Sequence, residues 1–281
     1  EPREDDPPRG LVKMTIHDTV GGVWAKGTPW EGQRWDGHYT KEAIAQIIAG
    51  WPESERRCRS LGIPMMGQGL IFAIDEKRIE IQPFHLPPHF ARIIGVDFGH
   101  DHPFAAAFLA HDRDNDIIYL YDLIRTAGTL PLYHTAVIRN RPGGTWIPVA
   151  WPHDGLNRER SSGRPLMEVY RAHGLDTMLP ETARYDDAKG GKQDVEPWVL
   201  DCLERMETGR FKVFSTCPEF FDEMRTYHRD KGQIVRAADD AISATRYAMM
   251  MIRYAMTAPV EVSRVHRLNV PVIGHRLHRV A

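Results

Sequence analysis

Three β-like runs follow one another from residue 90 of this 281-residue chain. They read ARIIGVDF, PFAAAFLAHD and DIIYLYDLI, and the polar turn DRDND joins the last two. Apolar runs rich in β-branched and aromatic residues are typical of strands, and a short polar turn between two of them predicts a hairpin. The pattern therefore predicts a meander of three antiparallel strands.

After the meander, helical and strand-like segments alternate. The predicted order is a helix over 130–140, a buried strand in IPVAW, a helix over 165–173, a short strand over 175–179, a helix over 195–207, a strand in FKVF, a helix over 219–229 and a helix over 239–256. Three antiparallel strands followed by this alternation favour an α/β fold, in which a mixed sheet is flanked by helices.

The chain before residue 89 has a different pattern and predicts a small N-terminal appendage. Residues 1–10 are rich in charge and proline, which is typical of a flexible lead-in. Thr40 is a candidate N-cap for a helix that continues to residue 48, and a second helix is predicted over 52–61. We therefore divide the chain into a lead-in and linker over 1–88, an α/β domain over 89–260 and a basic tail over 261–281.

The predicted tail contains arginines and histidines but no acid after Glu261. Its arginines could contact a phosphate backbone, and a solvated, poorly ordered terminus is an equally open interpretation. These arginines are Arg264, Arg267, Arg276 and Arg279.

Composition narrows the class of protein only modestly. The formal net charge of -2 gives no argument for nucleic-acid binding, so a DNA-binding surface would have to be a local patch. The three cysteines lack CxxC or histidine-paired spacing, which indicates neither a disulfide framework nor a zinc site and favours a reducing, intracellular setting. No apolar stretch approaches the roughly 20 residues of a membrane span, so no membrane partner is expected.

Two of the predicted strands end in an aspartate. Asp97 closes the first strand in GVDFG, and Asp154 follows IPVAW in the turn PHDG. A glycine comes soon after each acid and lets the backbone turn. If the two strands lie side by side and parallel, both acids emerge at the same edge of the sheet, where their carboxylates can share a metal ion.

A third acid lies at the start of the last predicted helix, in ADDAISATRYAMM. Asp240, Ala244, Tyr247 and Met251 share one stripe of that helix, which is the face able to lie on the sheet. Asp239 is rotated by about a hundred degrees and is well placed to cap the helix N-terminus. We predict Asp240 as the direct ligand and keep Asp239 as an alternative ligand.

Converging aspartates repel one another unless a cation neutralises them, so the group Asp97, Asp154 and Asp240 predicts a metal centre. Carboxylate oxygens without cysteine or clustered histidine select Mg²⁺ or Mn²⁺. Two such ions, roughly 3.5–4 Å apart, can activate a water and stabilise the leaving oxygen of a phosphodiester. The sequence thus predicts two-metal phosphodiester hydrolysis with these three aspartates as catalytic residues.

Five further polar residues are candidates for contacts around this site. Asp101, His102 and His153 lie beside the acids in sequence and could position water or a phosphate group, although polar loop residues at a strand edge are the commoner case. Lys189 and Lys192, in AKGGKQD, could contact DNA phosphates, and a plain solvated loop is an equal alternative.

The order of elements and acids resembles the ribonuclease H-like fold, and more closely the C-terminal nuclease domain of phage large terminase subunits. The resembling segments are GVDFGHDHPFAAAFLAHDRDNDIIYLYD, VAWPHDG, SGRPLMEVYRAHGL, TGRFKVF, FFDEMRTYHRDKGQIV and ADDAISATRYAMM, within residues 90–256. Upstream, HYTKEAIAQIIAGWPESERRCRSLGIPMMGQGLIF resembles the stretch that connects the packaging ATPase to the nuclease. The resemblance places the family's metal-binding acids at Asp97, Asp154 and the Asp239/Asp240 pair. The chain departs from it at Ser243, where many relatives have a further acid.

The resemblance implies a metal-dependent endonuclease of a viral DNA-packaging motor, which cuts concatemeric double-stranded viral DNA when packaging starts and ends. It implies the terminase small subunit and the portal protein as partners, and the cytoplasm of an infected bacterial host as the place of action. No GxxxxGK[ST] motif occurs in the sequence, so this chain alone is not expected to hydrolyse ATP.

Two other classes of function are compatible with the sequence pattern. Actin-like phosphotransferases also begin with a strand and DxG before a hairpin, but they need two copies of the fold, and this chain has the pattern for one. A non-catalytic DNA- or portal-docking module could use the same acids as a structural metal site. Tight ATP binding would favour the first alternative, and DNA binding without cleavage would favour the second.

Overall fold

A six-stranded mixed sheet is the centre of the fold. The computed structural model describes residues 15–20, 22–23, 32–51, 56, 59–62, 69–99, 102–158, 163–185 and 194–259. In spatial order the strands of this sheet are β3 (Glu80–Ile81), β8 (Phe211–Phe214), β6 (Ile117–Thr126), β5 (Phe104–Asp112), β4 (Ala91–Asp97) and β7 (Val149–Ala150). Two separate pairs are β1 (Gly22–Val23) with β2 (Arg34–Trp35), and β9 (Arg229–Asp230) with β10 (Gln233–Ile234).

The predicted antiparallel meander is confirmed in strands β4, β5 and β6, where Asp97 lies opposite Ala105. Strand β7 runs parallel to β4, with Gly95 opposite Ala150. Strand β8 runs parallel to β6, and β3 runs parallel to β8. Because β4 and β7 are parallel neighbours, the segments that leave them emerge at the same edge of the sheet.

The helices lie where the apolar periodicity of the sequence predicts them, although two of them end earlier than predicted. They are α1 (Lys41–Ala49), α2 (Pro131–Arg139), α3 (Leu166–Ala172), α4 (Val195–Glu207), α5 (Pro218–Met224) and α6 (Asp240–Met250). Thr40 caps α1 as predicted, since its side-chain oxygen accepts a hydrogen bond from the backbone N–H of Ala43 at 3.2 Å. Of the predicted helix over 52–61, residues 56 and 59–61 are helical and the others lie outside the described residues.

Two hydrophobic cores cover the two faces of the sheet, because successive side chains of a strand point to opposite faces. Ile93 of β4 belongs to the core that contains Ala244 of α6 and Trp198 of α4. Its neighbour Ile94 belongs to the opposite core, with Ile138 of α2 and Tyr170 of α3. The expected α/β fold, a mixed sheet flanked by helices, is confirmed.

None of the helices in the described ranges has the length and apolar character that a membrane span requires.

Helix α6 lies directly on β4 at Gly95. A side-chain carbon at this position would collide with the carbonyl oxygen of Ala244 and with Ala248. Glycine therefore permits an approach of helix to strand that no other residue allows without displacement. The close contact brings the start of α6, at Asp240, beside the end of β4, at Asp97.

Helix α5 is shorter than predicted, because the chain leaves it to pair with an upstream segment. It ends at Met224 rather than at residue 229. The carbonyl of Tyr227 accepts a hydrogen bond from the N–H of Ile71 at 3.0 Å, and the N–H of Arg229 donates to the carbonyl of Gly69 at 2.8 Å. This pairing, together with the β9–β10 hairpin, replaces the expected last turn.

Two other elements are also shorter than predicted. Helix α6 ends at Met250 rather than at residue 256, since Arg92 and Met256 exchange two backbone hydrogen bonds of 2.7 and 3.0 Å. The pairing draws the chain away from the helix axis and onto the start of β4. The strand predicted over 175–179 is reduced to an isolated bridge between Met178 and Val149.

Residues upstream of position 88 contribute to the same sheet and core. Strand β3 pairs with β8, with Glu80 opposite Val213, and Phe72 and Ile79 are buried in the core beneath α6. A two-residue strand carries no periodicity of its own, so it could not be predicted from the pattern. The division of the chain at residue 88 stays a prediction.

Candidate metal centre

Asp97 is the last residue of β4, at the sheet edge toward which β7 also runs. Burial raises the pKa of its carboxyl to about 7. The nearby charges of His102 and Arg246 oppose that rise, whereas those of Asp239 and Asp240 add to it. A partly buried carboxylate among other acids favours a bound cation, because a cation stabilises the ionised form.

Asp240 is the first residue of α6 and is only 3% exposed. Its Oδ1 lies 2.7 Å from His102 Nδ1. Its Oδ2 accepts two hydrogen bonds from Arg125, one from Nη2 at 2.8 Å and one from Nε at 3.1 Å. The carboxylate is thus fixed on both sides, and charge-assisted hydrogen bonds of this kind hold a side chain firmly.

Asp97, His102 and Asp240 together form a group that can hold a metal ion. One ligand atom from each lies within 4.8 Å of the other two. Within the described part of the chain, no second group of three acidic, histidine or cysteine ligands is so arranged. Two carboxylates and an imidazole suit a divalent cation, and the hard oxygen ligands favour Mg²⁺ or Mn²⁺.

Asp154 lies outside this three-residue group, in the 3-10 turn His153–Leu156 that follows β7. It is exposed and lines a cleft of about 840 Å³ with His153, Arg246 and Tyr247. Burial raises the pKa of the Tyr247 hydroxyl to about 12; Arg246 opposes the rise, and Asp97 and Asp154 add to it. The structure therefore brings Asp97 and Asp154 to the same tyrosine but places only Asp97 in the group with His102 and Asp240.

The position of Asp154 depends on the glycine that follows it. A side-chain carbon at Gly155 would collide with the rings of Trp151 and Phe98. The sequence pattern attributes this glycine to a turn that needs backbone freedom, whereas the structure shows that it is needed for close packing beneath the turn. Gly155 is not among the described glycines with a positive φ, so close packing, and not an unusual backbone conformation, requires glycine beside the acid.

Asp239 precedes α6 at the N-cap position, but its side chain makes no capping hydrogen bond. Instead, its Oδ2 accepts a hydrogen bond from Ser243 Oγ at 3.3 Å. The expected capping role belongs to Glu223 of α5, whose Oε2 accepts a hydrogen bond from the N–H of Ile242 at 3.0 Å. Burial, followed by the charge of Asp240, raises the pKa of Asp239, while Ser243 lowers it.

Arg125 and Glu223 are site residues that the sequence analysis missed. Arg125, near the end of β6, lies between the two buried acids: its Nε is 3.2 Å from Glu223 Oε1 as well as in contact with Asp240. Burial raises the pKa of Glu223 to about 7, although the N–H groups at the start of α6 lower it. The sequence feature that could have indicated Arg125 is a charged residue at the end of a predicted central strand.

Arg246 is a second buried cation near the acids and is only 7% exposed. Its guanidinium lies 4.4 Å from the ring centre of Tyr247, and it also lines the cleft beside Asp154. Its charge lowers the pKa of both Asp97 and Asp239. Arg125 and Arg246 therefore partly neutralise the negative charge of these acids.

The remaining candidate residues divide into two groups. His102 contacts Asp240 directly, and Asp97 and Asp240 raise its pKa against the opposing effect of burial. His153 is exposed at the cleft. The other three lie outside the described residues: Asp101, Lys189 and Lys192.

A family model described as the terminase RNase H-like domain matches residues 94–252 of this chain. The chain belongs to the terminase RNase H-like family. The match extends from the middle of β4 to the end of α6 and includes Asp97, Asp154 and Asp240, together with Arg125 and Glu223. The resemblance inferred from the sequence segments is confirmed.

Two curated terminase relatives match most of the chain. It is 41% identical over 246 residues to the large terminase subunit of Salmonella phage P22, which covers 87% of this chain and 45% of the relative. It is 43% identical over 242 residues to the large terminase subunit of Enterobacteria phage LP7, which covers 86% of this chain and 46% of the relative. The chain therefore spans about half the length of these relatives.

Solved terminase structures share the fold. The nuclease domain of the P22 large terminase superposes with a TM-score of 0.61 at 40% identity, over 68% of this chain and 96% of that domain. The large terminase of the thermophilic bacteriophage D6E superposes with a TM-score of 0.51 at 14% identity, over 77% of this chain and 53% of that protein, which is a likeness of fold alone. The expected ribonuclease H-like fold is confirmed.

Proposed function

We propose that this chain is the nuclease region of a phage large terminase subunit and a metal-dependent DNA endonuclease. The observation that carries the proposal is the group of Asp97, His102 and Asp240 at the end of β4. Ligand sites of α/β sheets commonly lie at the carboxyl ends of strands. Support also comes from the large terminase subunits that match most of the chain and from the P22 nuclease domain.

The proposed cofactor is Mg²⁺ or Mn²⁺, with two ions in the working site. Asp97, Asp154 and Asp240 would hold the ions, with Asp239 as an alternative ligand. When bound, such ions supply a water nucleophile activated at neutral pH and charge stabilisation for the leaving oxygen of a phosphodiester. The raised pKa of Asp97 supports this proposal, because burial and the neighbouring acids favour a cation beside its carboxylate.

The residues of the chain itself would supply orientation and compensating charge. His102 and Arg125 hold the two oxygens of Asp240, so this carboxylate has a defined position before any ligand binds. Arg246 lines the cleft beside Asp154, where its guanidinium would attract a phosphate group of the substrate. Groups that are positioned in advance lose little conformational freedom during the reaction.

The proposed substrate is concatemeric double-stranded viral DNA, cut when packaging starts and ends. Lys189, Lys192 and Asp101 stay candidates for contacts with DNA or water around the site, and His153 is a candidate at the cleft. The proposed partners are the terminase small subunit and the portal protein of the complete motor, in the cytoplasm of an infected bacterial host. The lead-in over 1–88 is proposed to connect the nuclease to a packaging ATPase.

Plasmid cleavage in Mn²⁺ tests the function directly. We expect Asp97→Ala and Asp154→Ala each to lower the cleavage rate at least about a hundredfold, because each variant removes a proposed ligand. Asp114→Ala is the matched control, since Asp114 is an exposed acid in the turn between β5 and β6, at the opposite end of the sheet. Undiminished cleavage by either active-site variant, or DNA binding without cleavage by the unmodified chain, would contradict the proposal.

A further inference from the structure

Arg125 is shared between two buried carboxylates beside the metal centre. It donates two hydrogen bonds to Asp240 Oδ2, and its Nε lies 3.2 Å from Glu223 Oε1. Asp240 and Glu223 are 3% and 5% exposed, whereas the Arg125 side chain is 31% exposed. One cation thus compensates two acids, and a buried acid without a counter-charge is strongly disfavoured in its ionised form.

Both oxygens of Asp240 already contact a hydrogen-bonding or charged side chain in this arrangement. Oδ1 faces His102 Nδ1 at 2.7 Å, and Oδ2 accepts both hydrogen bonds from Arg125. A divalent cation bound by Asp240 would lie close to a guanidinium of the same sign, and like charges repel strongly in a partly buried site. Arg125 and the metal are therefore alternative counter-charges for Asp240.

The structure provides a second position for the guanidinium. Glu223 Oε1 is buried and has no hydrogen-bond partner among the described residues, because the single Nε hydrogen of Arg125 points to Asp240. A cavity of about 200 Å³ lies next to Arg125 and is also lined by Glu219, Asp222 and Glu223. The space beside Arg125 is therefore both open and acidic.

Glu223 can receive Arg125 without giving up its contact with α6. Its other oxygen, Oε2, accepts the hydrogen bond from the N–H of Ile242 at 3.0 Å. A full ion pair through Oε1 would satisfy an acceptor that is otherwise unpaired, which offsets the loss of the contact with Asp240. The two positions of Arg125 are thus separated by a small movement within one network.

We propose that Arg125 competes with the divalent cation for Asp240. In the metal-free site it neutralises Asp240, and when the cation binds it moves onto Glu223 and into the acidic cavity. This inference rests on the proposed function, since it requires Asp240 to be a metal ligand. Arg125 is then a positioning residue that keeps the metal-free site folded and lowers its affinity for the cation.

Calorimetric titration with Mn²⁺ measures the competition. We expect Arg125→Met to bind Mn²⁺ about tenfold more tightly than the unmodified chain. In this variant Mn²⁺ does not have to displace the guanidinium of Arg125 from Asp240. Arg141→Met is the matched control: Arg141 forms an ion pair with Asp122 at 3.0 Å, and its loss should leave the Mn²⁺ affinity unchanged. Unchanged or weaker binding by a folded Arg125→Met variant would overturn the inference.

Nuclear magnetic resonance with diamagnetic Mg²⁺ follows Arg125 in the unmodified chain. The Arg125 Nε–H signal, assigned by its loss in Arg125→Met or by through-bond experiments, should shift as Mg²⁺ saturates the unmodified chain. In Glu223→Gln, whose amide oxygen can still accept from Ile242, that shift should be smaller. An Arg125 signal that stays fixed while calorimetry shows Mg²⁺ binding would refute the competition alone. Absence of any Mg²⁺ or Mn²⁺ binding would refute the proposed nuclease function as well.

Discussion

Asp240 and Asp154 reach the same end of the sheet, yet their surroundings are opposite. Asp240 is buried at the start of α6, with His102 on one oxygen and Arg125 on the other. Asp154 is exposed on a 3-10 turn and faces the cleft. Side chains hold the carboxylate of Asp240 in place, whereas no hydrogen bond to the Asp154 side chain occurs among the described residues.

The difference suggests two roles within one site: the buried acid has a fixed position, and the exposed acid can be reached by a substrate or a cation. Buried, hydrogen-bonded groups keep their geometry but are expensive to ionise without a counter-charge. An exposed acid can meet a substrate or a hydrated cation, but its position is less restricted. The buried group of Asp97 and Asp240 would therefore define the site, while Asp154 would complete it from the cleft side.

The largest expected effect is the loss of stability in Asp240→Ala. This variant removes the buried carboxylate that Arg125 and His102 bind, and breaking a buried ion pair typically costs about 3–5 kcal/mol. Because Arg125 keeps its contact with Glu223, we expect a decrease of about 2–4 kcal/mol in the free energy of unfolding, measured by urea denaturation without metal. Asp154→Ala, the exposed counterpart, should change it by less than about 0.5 kcal/mol. Equal losses of unfolding free energy in both variants would show that Asp240 and Asp154 do not differ in their contribution to stability.

A smaller effect of the opposite sign is expected from Asp97→Asn without metal. Burial raises the pKa of Asp97 from its ordinary value of 3.8 to about 7 in the fold, so ionisation of this carboxyl disfavours the folded state. The resulting loss of stability begins above pH 3.8 and is complete above pH 7. Asp97→Asn should therefore be more stable than the unmodified chain at pH 8, on the order of 1–3 kcal/mol, and should lose this advantage near pH 4.

The matched comparison for this pH effect is Asp154→Asn. Because Asp154 is exposed, its substitution should leave stability unchanged across the same pH range. Thermal melts in a chelator at pH 4 and pH 8 check both variants. An Asp97→Asn protein that is less stable than the unmodified chain at pH 8 would show that this carboxylate is already fully compensated.

The fold was predictable from the sequence where periodicity is long and local. Helix α4 and strand β8 have the predicted bounds, and the meander is present with the expected pairing. Elements defined by a distant partner were not predictable: β3 has two residues, and α5 ends early because residues 227–229 pair with residues 69–71. In these cases tertiary pairing determines the structure, and local propensity does not.

The candidate site was predictable to a similar extent. Strand ends and helical phase indicate the convergence of Asp97 and Asp240, because both depend on backbone periodicity. Two residues around Asp240 could not be inferred in this way: Arg125, which binds Asp240, is 115 residues away in sequence, and Glu223, which contacts Arg125, lies on a different helix. Such contacts follow from the packing of α5 and α6 against β6, which no short pattern records.

Anomalous diffraction from crystals of this chain soaked in Mn²⁺ tests the central claim most directly. We expect one Mn²⁺ peak within ligand distance of the carboxylates of Asp97 and Asp240, and a second peak toward Asp154. Absence of a peak at Asp97 and Asp240 under saturating Mn²⁺ would contradict a metal centre at these residues, since the two acids would then serve the fold and not a metal.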